Sequence, residues 1–332
     1  MTKVNVFHSD DLSGLAEPSE FVDAVREAYR QIGNGAPAEP RTKLVNEDPG
    51  GMLTTYAAIL PETGMMGGYM YSAGFGAEDA WFTTPLFDAE SGELQAILDG
   101  ASMNPFKTGA AGAAGVDALA REDASSLGII GAGPQARGQL TATATVREFE
   151  EVRVFSPTRE NREEFAETYD DRLEADVSAV DSAAKAVEDV DVVITATTSP
   201  EPVFDGDLLS EGTHVTAMGQ YDPEKRELDE TTIARSKYVP DLRARATHDA
   251  GSFIAALEAG VVDEDHVHAE LGEVIADIEP GRESDDEITV FDSGGTGIET
   301  VGAAAMLYEK AIENDVGTSI DIAPASEALT GE

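Results

Sequence analysis

The sequence predicts an α/β fold, a doubly wound parallel sheet domain joined to an α+β domain. Three observations predict it. The stretch Ser126-Leu127-Gly128-Ile129-Ile130 is a short apolar strand that runs into Gly131-Ala132-Gly133-Pro134-Gln135-Ala136 and then into a helix. Residues 151–155, 190–197 and 212–219 form further apolar runs. They are continuous rather than alternating, the pattern of strands covered on both faces. Helical stretches such as 158–168 separate them, and strand–helix alternation at this spacing implies right-handed crossovers and a parallel sheet.

The glycine stretch has the form G-x-G-x-x-A. Gly131 lets the chain turn as the strand ends, Gly133 lets the backbone approach a pyrophosphate, and Ala136 lets the helix pack closely on the strand. The helix N-terminus offers free N–H groups and a positive dipole end to phosphates. Gly131, Ala132, Gly133, Pro134, Gln135 and Ala136 are therefore expected to hold a dinucleotide on a Rossmann-type domain. About 20 residues further on, a carboxylate would mark NAD. Here the strand ends in Ser156-Pro157-Thr158-Arg159, with no acid before Glu160. Ser156 and Thr158 can hydrogen-bond a 2′-phosphate, and Arg159 or Arg162 can pair with it, which favours NADP(H) over NAD. Thr195, Ala196, Thr197 and Thr198 end another strand and are expected to line the cofactor near the switch point of the sheet. Ser293 and Gly294, in a second glycine turn after the strand that begins at Ile288, are expected to close over the nicotinamide.

Outside this domain, residues 18–32 read as an amphipathic helix with Phe21, Val22, Ala24, Val25, Ala28 and Tyr29 on its apolar side. Strands are expected at 52–56, 67–72 and 81–87, with a turn at 88–92. Residues 107–120 form a helix rich in Gly and Ala, costly in isolation and sensible where it packs very closely. Helices are also expected at 249–259 and 299–314, and a loose tail from Asp321. The domain boundaries read as 1–120, completed by 300–325, for the α+β domain and 121–299 for the sheet domain, with 326–332 as a tail.

The 332 residues carry 65 acids against 22 Lys and Arg, a net charge of −43. Only seven of the cations are Lys. The acids interleave with amphipathic patterns, so the composition fits a folded domain rather than disorder. An evenly acidic surface suits concentrated salt, where the Debye length is about 3 Å or less and self-repulsion is screened. This implies a halophilic protein. The charge excludes extended contact with nucleic acid phosphates. No apolar run long enough to span a membrane occurs, and a soluble, cytoplasmic protein is expected. With no Cys, disulfides, thiolate nucleophiles and Cys-based zinc sites are excluded. His266-Val267-His268, among acids, is read as a solvated helix face rather than a metal site, because i and i+2 do not face the same way.

Several motifs together resemble the ornithine cyclodeaminase and mu-crystallin family. They are the Gly131–Ala136 turn, Phe155-Ser156-Pro157-Thr158-Arg159, Leu86 to Gly100 running into Lys107-Thr108-Gly109-Ala110-Ala111, Arg226-Glu227-Leu228-Asp229, and the segment from Ile288 to Thr296. The resemblance implies a homodimer formed through the N-terminal domain, a nicotinamide cofactor and hydride transfer to or from the α-carbon of a small amino acid or imine acid. Arg41 matches the family's carboxylate-binding arginine, and Lys107 stands where a second arginine is usual. Met70 falls, by the register of the Gly68-Tyr69-Met70-Tyr71 strand, where the family carries a lysine. Tyr221 falls on the aspartate of the cyclodeaminases, with Asp222 adjacent. These departures point to an NAD(P)-dependent oxidoreductase of C–N bonds, with Tyr69, Tyr71 or Tyr221 as proton donor. An ornithine cyclodeaminase and a non-catalytic nucleotide-binding module are the alternatives.

The charge balance generates a first prediction. Circular dichroism melting curves should shift to higher temperature between dilute buffer and molar KCl, and an unchanged curve would contradict a salt-adapted surface.

Overall fold

The computed structural model describes residues 2–325 and divides into two units, Met1–Asn104 with Thr296–Glu332, and Pro105–Gly295. The first unit begins with β1 (Thr2–Phe7), α1 (Ser9–Leu12) and α2 (Pro18–Gly33). An antiparallel meander follows: β2 (Thr42–Glu47), β3 (Gly50–Leu60), β4 (Met65–Gly74), β5 (Trp81–Asp88) and β6 (Leu94–Asp99). The second unit runs α3 (Asn104–Leu119), β7 (Ser126–Ile130), α4 (Pro134–Thr143), β8 (Glu151–Phe155), α5 (Arg159–Asp170), β9 (Asp176–Ala179), α6 (Ala183–Val187) and β10 (Val192–Thr195). It continues through β11 (His214–Met218), α7 (Glu230–Arg235), β12 (Ser236–Pro240), α8 (Arg243–Ala246), α9 (Gly251–Glu258), α10 (Leu271–Ile275) and β13 (Ile288–Ser293). The chain then returns to the first unit with α11 (Gly297–Glu313) and β14 (Thr318–Ile322).

The sheet of the second unit has the order β12-β13-β11-β10-β7-β8-β9, and every pairing is parallel. The order reverses between β7 and β10, which is the switch point. Alternate residues feed two cores. Val193, Val215 and Val290 lie in one, Leu127, Ile129, Val152, Val154 and Ile194 in the other. Both faces are thus apolar, which is why the strands read as continuous hydrophobic runs. The small residues of α3 permit close packing: a Cβ at Gly109 would lie 2.3 Å from Gly138 O of α4, and one at Gly115 2.4 Å from the Phe291 ring of β13.

In the first unit the sheet order is β14-β1-β6-β5-β4-β3-β2. α11 lies along α2 and against β3 and β4. Thr54, Tyr56, Ala58, Tyr69 and Tyr71 are buried on the face of the sheet that carries these helices. Thr55, Ile59 and Met70 alternate to the other face. Sequence reading set a boundary at 120/121, whereas the division falls at Asn104/Pro105 and Gly295/Thr296 and leaves α3 with the second unit. The expected tail from Asp321 is corrected in part: Asp321 and Ile322 belong to β14 and pair with Lys3 and Thr2. The tail at 326–332 lies outside the described residues.

Gly128 of β7 sits beneath α6, where a Cβ would come within 1.8 Å of Ala186 O. Gly128→Ala should therefore cost about 1–3 kcal/mol by overpacking, read as a lower midpoint in denaturant. An unchanged midpoint would mean that α6 is not held against β7 this closely.

Candidate active site

Gly131 leaves β7 with φ +123°, a conformation that suits glycine, and a Cβ there would lie 2.3 Å from Ala196 O. Its N–H donates to Phe155 O at 2.9 Å, and Ala196 N–H donates to Ile130 O at 2.9 Å. These two bonds join the tips of β7, β8 and β10, so three of the sequence-predicted segments meet at one edge of the sheet. Gly133 caps α4 in extended conformation with Pro134 at the first helical position. Nothing lies within 4 Å of the place where its Cβ would be. Ala136 is buried in the core beneath. Gln135 Oε1 is a buried acceptor with no partner among the described residues. The open space over Gly133 and the free N–H groups of α4 fit a pyrophosphate.

At the tip of β8, Ser156 is buried and its carbonyl accepts from Arg162 Nη1 at 2.8 Å. Thr158 is the N-cap of α5, and its side chain makes no capping hydrogen bond. Arg159 is 72% exposed and pairs with Glu163 at 2.6 Å. Thr158 and Arg159 thus stand at the surface, while Arg162 braces the turn.

After β10, the loop of Thr195, Ala196, Thr197 and Thr198 is organised by a residue that the sequence reading quoted but gave no role. Glu227 is fully buried. Thr195 Oγ1 donates to its Oε2 at 2.9 Å and Thr197 N–H to its Oε1 at 2.6 Å. Burial pushes its pKa up to about 7, against the pull of the Thr197 and Thr195 hydrogen bonds. Gln220, just after β11, donates to Thr197 O at 3.4 Å and Ser199 O at 3.1 Å, completing the brace. Tyr221 and Asp222 follow on the same loop, half-buried, and Asp222 accepts from Glu224 N–H at 3.2 Å.

Ser293 and Gly294 face a buried ion cluster. Ser293 Oγ and Gly294 N–H donate to Asp241 Oδ2 at 3.2 and 3.0 Å. Arg245, fully buried, bonds Asp241 at 2.8 Å, Asp249 at 2.7 Å and Gln220 O at 3.0 Å. A Cβ at Gly294 would collide with this guanidinium at 2.3 Å. Burial works against the charge of Arg245, but Asp241, Asp249 and Asp292 outweigh it and hold its pKa high. Burial raises Asp292 to about 6, and Tyr238 donates to it at 2.7 Å. The Asp241-x-x-x-Arg245-x-x-x-Asp249 spacing was the available signal in the sequence.

Lys107 is buried on α3 in the second unit, and Arg41, 6% exposed, belongs to the first. Arg41 precedes β2, with its guanidinium 5.2 Å from the centre of the Tyr56 ring and its Nη1 donating to Tyr71 Oη at 3.0 Å. Met70, expected in place of the family's lysine, does not join Arg41. Met70 lies on the opposite face, 51% exposed, and the β4 side chains on the face of Arg41 are Tyr69 and Tyr71. The helix face expected at His266-Val267-His268 is also corrected, since no α-helix forms there. His266 ends a single 3-10 turn and bonds Ile233 O at 2.8 Å, while His268 bonds Pro280 O at 2.8 Å.

A parallel sheet with a switch point, a G-x-G-x-x-A turn at it and open space above that turn define a dinucleotide-dependent enzyme. The chain belongs to the ornithine cyclodeaminase/mu-crystallin family, whose model matches residues 4–315. It is 32% identical over 318 residues to an alanine dehydrogenase of Archaeoglobus fulgidus, covering 95% of this chain and 97% of the relative. The structure of Thermococcus litoralis Δ1-pyrroline-2-carboxylate reductase with NADH and L-proline superposes with a TM-score of 0.90 at 34% identity, over 96% of this chain and all of that one. An archaeal alanine dehydrogenase dimer with bound NAD gives a TM-score of 0.90 at 32% identity, over 97% and 100% of the two chains.

Glu227 generates a prediction with a definite sign. A carboxyl whose pKa is raised from 4.5 to about 7 on folding binds more protons folded than unfolded. Its contribution to stability is therefore lost as pH rises through that window, by on the order of 3 kcal/mol. Stability measured against Glu227→Gln should show the wild type losing ground between about pH 4.5 and 7. Parallel pH profiles for the two proteins would contradict the burial of an ionisable group there.

Proposed function

We propose that this chain reduces a small imino acid, cyclic ones included, to the amino acid with NADPH. The enzyme is an NAD(P)-dependent oxidoreductase of the C–N bond in amino or imino acids. The observation that carries this reading is the Gly131–Ala136 turn, with glycine in the required conformation and open space over Gly133. Gly131 to Ala136 hold the pyrophosphate, and Gln135 Oε1 offers an acceptor. The loop Thr195–Thr198, held by Glu227 and Gln220, lines the cofactor beyond it. The exposed Thr158 hydroxyl and Arg159, with Ser156, favour a 2′-phosphate and hence NADP(H). When bound, the nicotinamide supplies or accepts a hydride at the substrate's α-carbon.

Arg41 anchors the substrate carboxylate. Its position is set by the Tyr56 ring and the Tyr71 hydroxyl, so little side-chain freedom is lost on binding. Lys107 contributes a second positive charge and Tyr221 or Asp222 a polar group. Ornithine cyclodeamination would also need a group for the δ-amine. The face of β4 that carries Tyr69 and Tyr71 offers two phenols, which suit imine reduction better.

The enzyme is proposed to act as a cytoplasmic homodimer. Leu44, Leu53, Ile59, Met70 and Trp81 share the sheet face opposite the helices, between 36% and 74% exposed. An apolar hollow of about 510 Å³ opens at β3 and β4. A solvated monomer rarely leaves such a face bare.

In molar KCl, absorbance at 340 nm should fall when NADPH meets Δ1-pyrroline-2-carboxylate, Δ1-piperideine-2-carboxylate, or pyruvate with ammonia. No fall with either reduced nicotinamide would contradict the reading. Arg41→Ala should raise KM roughly 10- to 100-fold, the loss of a charge-assisted hydrogen bond. An unchanged kcat/KM would remove Arg41 as the anchor.

A further inference from the structure

We propose that Tyr71 is the general acid that protonates the imine nitrogen. The inference rests on the imino-acid reductase reading above. Tyr71 lies on β4, 6% exposed, its ring stacked on Phe82 at 4.9 Å and edge-on to Tyr56 at 6.4 Å. These contacts fix where its oxygen sits. That oxygen accepts from Arg41 Nη1 at 3.0 Å, and among the described residues nothing takes the hydroxyl proton. Tyr69, its neighbour on the same face, differs on this point, since its hydroxyl donates to Gly100 O. Burial also pushes the Tyr69 and Tyr56 hydroxyls well above the usual phenol range, with Glu299 adding to both. Lys43 and Glu47 of β2 also lie on this face, Lys43 paired opposite Thr54, which itself pairs with Tyr71, and Glu47 opposite Gly50 at the far end of the strand.

The geometry connects anchor and acid. The nitrogen of an α-imino acid is two bonds from the carboxylate carbon. A substrate whose carboxylate is gripped by Arg41 therefore brings its nitrogen within reach of a hydroxyl held by the same guanidinium. In the step, the O–H bond of Tyr71 breaks and an N–H bond forms from the π pair of C=N. The hydrogen and two electrons gained at carbon are those of the reduced nicotinamide. The phenolate left behind lies against Arg41 and recovers its proton from water, so imine, NAD(P)H and one proton become amine and NAD(P)⁺.

The test compares wild type, Tyr71→Phe and Lys43→Met across pH on one cyclic imine acid, with circular dichroism to confirm folding. Tyr71→Phe should lower kcat/KM roughly 100- to 1000-fold at neutral pH, the usual worth of a general acid. The ratio of the two rates should change with pH, because only the wild type carries the hydroxyl; titration of the substrate is common to both enzymes and cancels in the ratio. Calorimetric affinity for L-proline should stay within about threefold, because the carboxylate anchor is intact. Lys43→Met should keep the wild-type profile. A Tyr71→Phe profile parallel to wild type, or a Lys43→Met profile that departs from wild type instead, would overturn the assignment while leaving the reductase reading intact. Absence of turnover by the wild type on every imine acid would overturn both.

Discussion

The proposed cofactor edge of the second unit depends on one close approach, that of Gly131 to the carbonyl of Ala196. A side chain on residue 131 would separate the tips of β7 and β10. With glycine there, Gly131 N–H reaches Phe155 O and Ala196 N–H reaches Ile130 O. The three strand ends then close into one surface, and α4 begins with its N–H groups above it. The rest of the proposed cofactor site is arranged around this point, from the exposed Thr158 on one side to the β10 loop on the other.

Buried charge holds the remaining loops. In a chain with 43 more negative than positive charges, Arg245 sits out of water among Asp241, Asp249 and Asp292. A lone buried guanidinium would be very costly. Here it is matched by carboxylates that also accept from Gly294 N–H and Ser293 Oγ, so the ion cluster fixes the glycine turn after β13. Glu227 does the same for the loop after β10 without a cation, through hydroxyl and amide donors. Both are buried polar groups whose hydrogen bonds specify a loop conformation, and both shape the ends of parallel strands where ligands bind.

Much of this was legible in the sequence. Strand β8 and the turn into α4 stand where the apolar run and the glycines put them, because central parallel strands and tight turns leave strong local signals. The outer strands β1, β2 and β14 were missed. Their residues are largely polar or exposed, as edge and near-edge strands permit, so periodicity did not mark them. Which side of β4 faces Arg41 was not legible, since neighbouring strand residues alternate faces and Gly68-Tyr69-Met70-Tyr71 offers a large side chain to each. The role of Glu227 was not legible, since an acid in a sequence dominated by acids gives no sign that it will be buried; Arg245 left only its i, i+4 spacing to Asp241 and Asp249.

The chemistry divides along the chain. Residues of the first unit carry the proposed grip on carboxylate and nitrogen, and residues of the second carry the dinucleotide turn. The most direct measurement follows the hydrogen itself. The enzyme would be given NADPH carrying deuterium at the transferring position of C4, together with Δ1-pyrroline-2-carboxylate, and the proline examined by mass spectrometry and NMR. Direct transfer from nicotinamide to substrate predicts a single deuterium at the α-carbon. Proline formed without that label, or formed only from ornithine with release of ammonia and no net oxidation of NADPH, would contradict it.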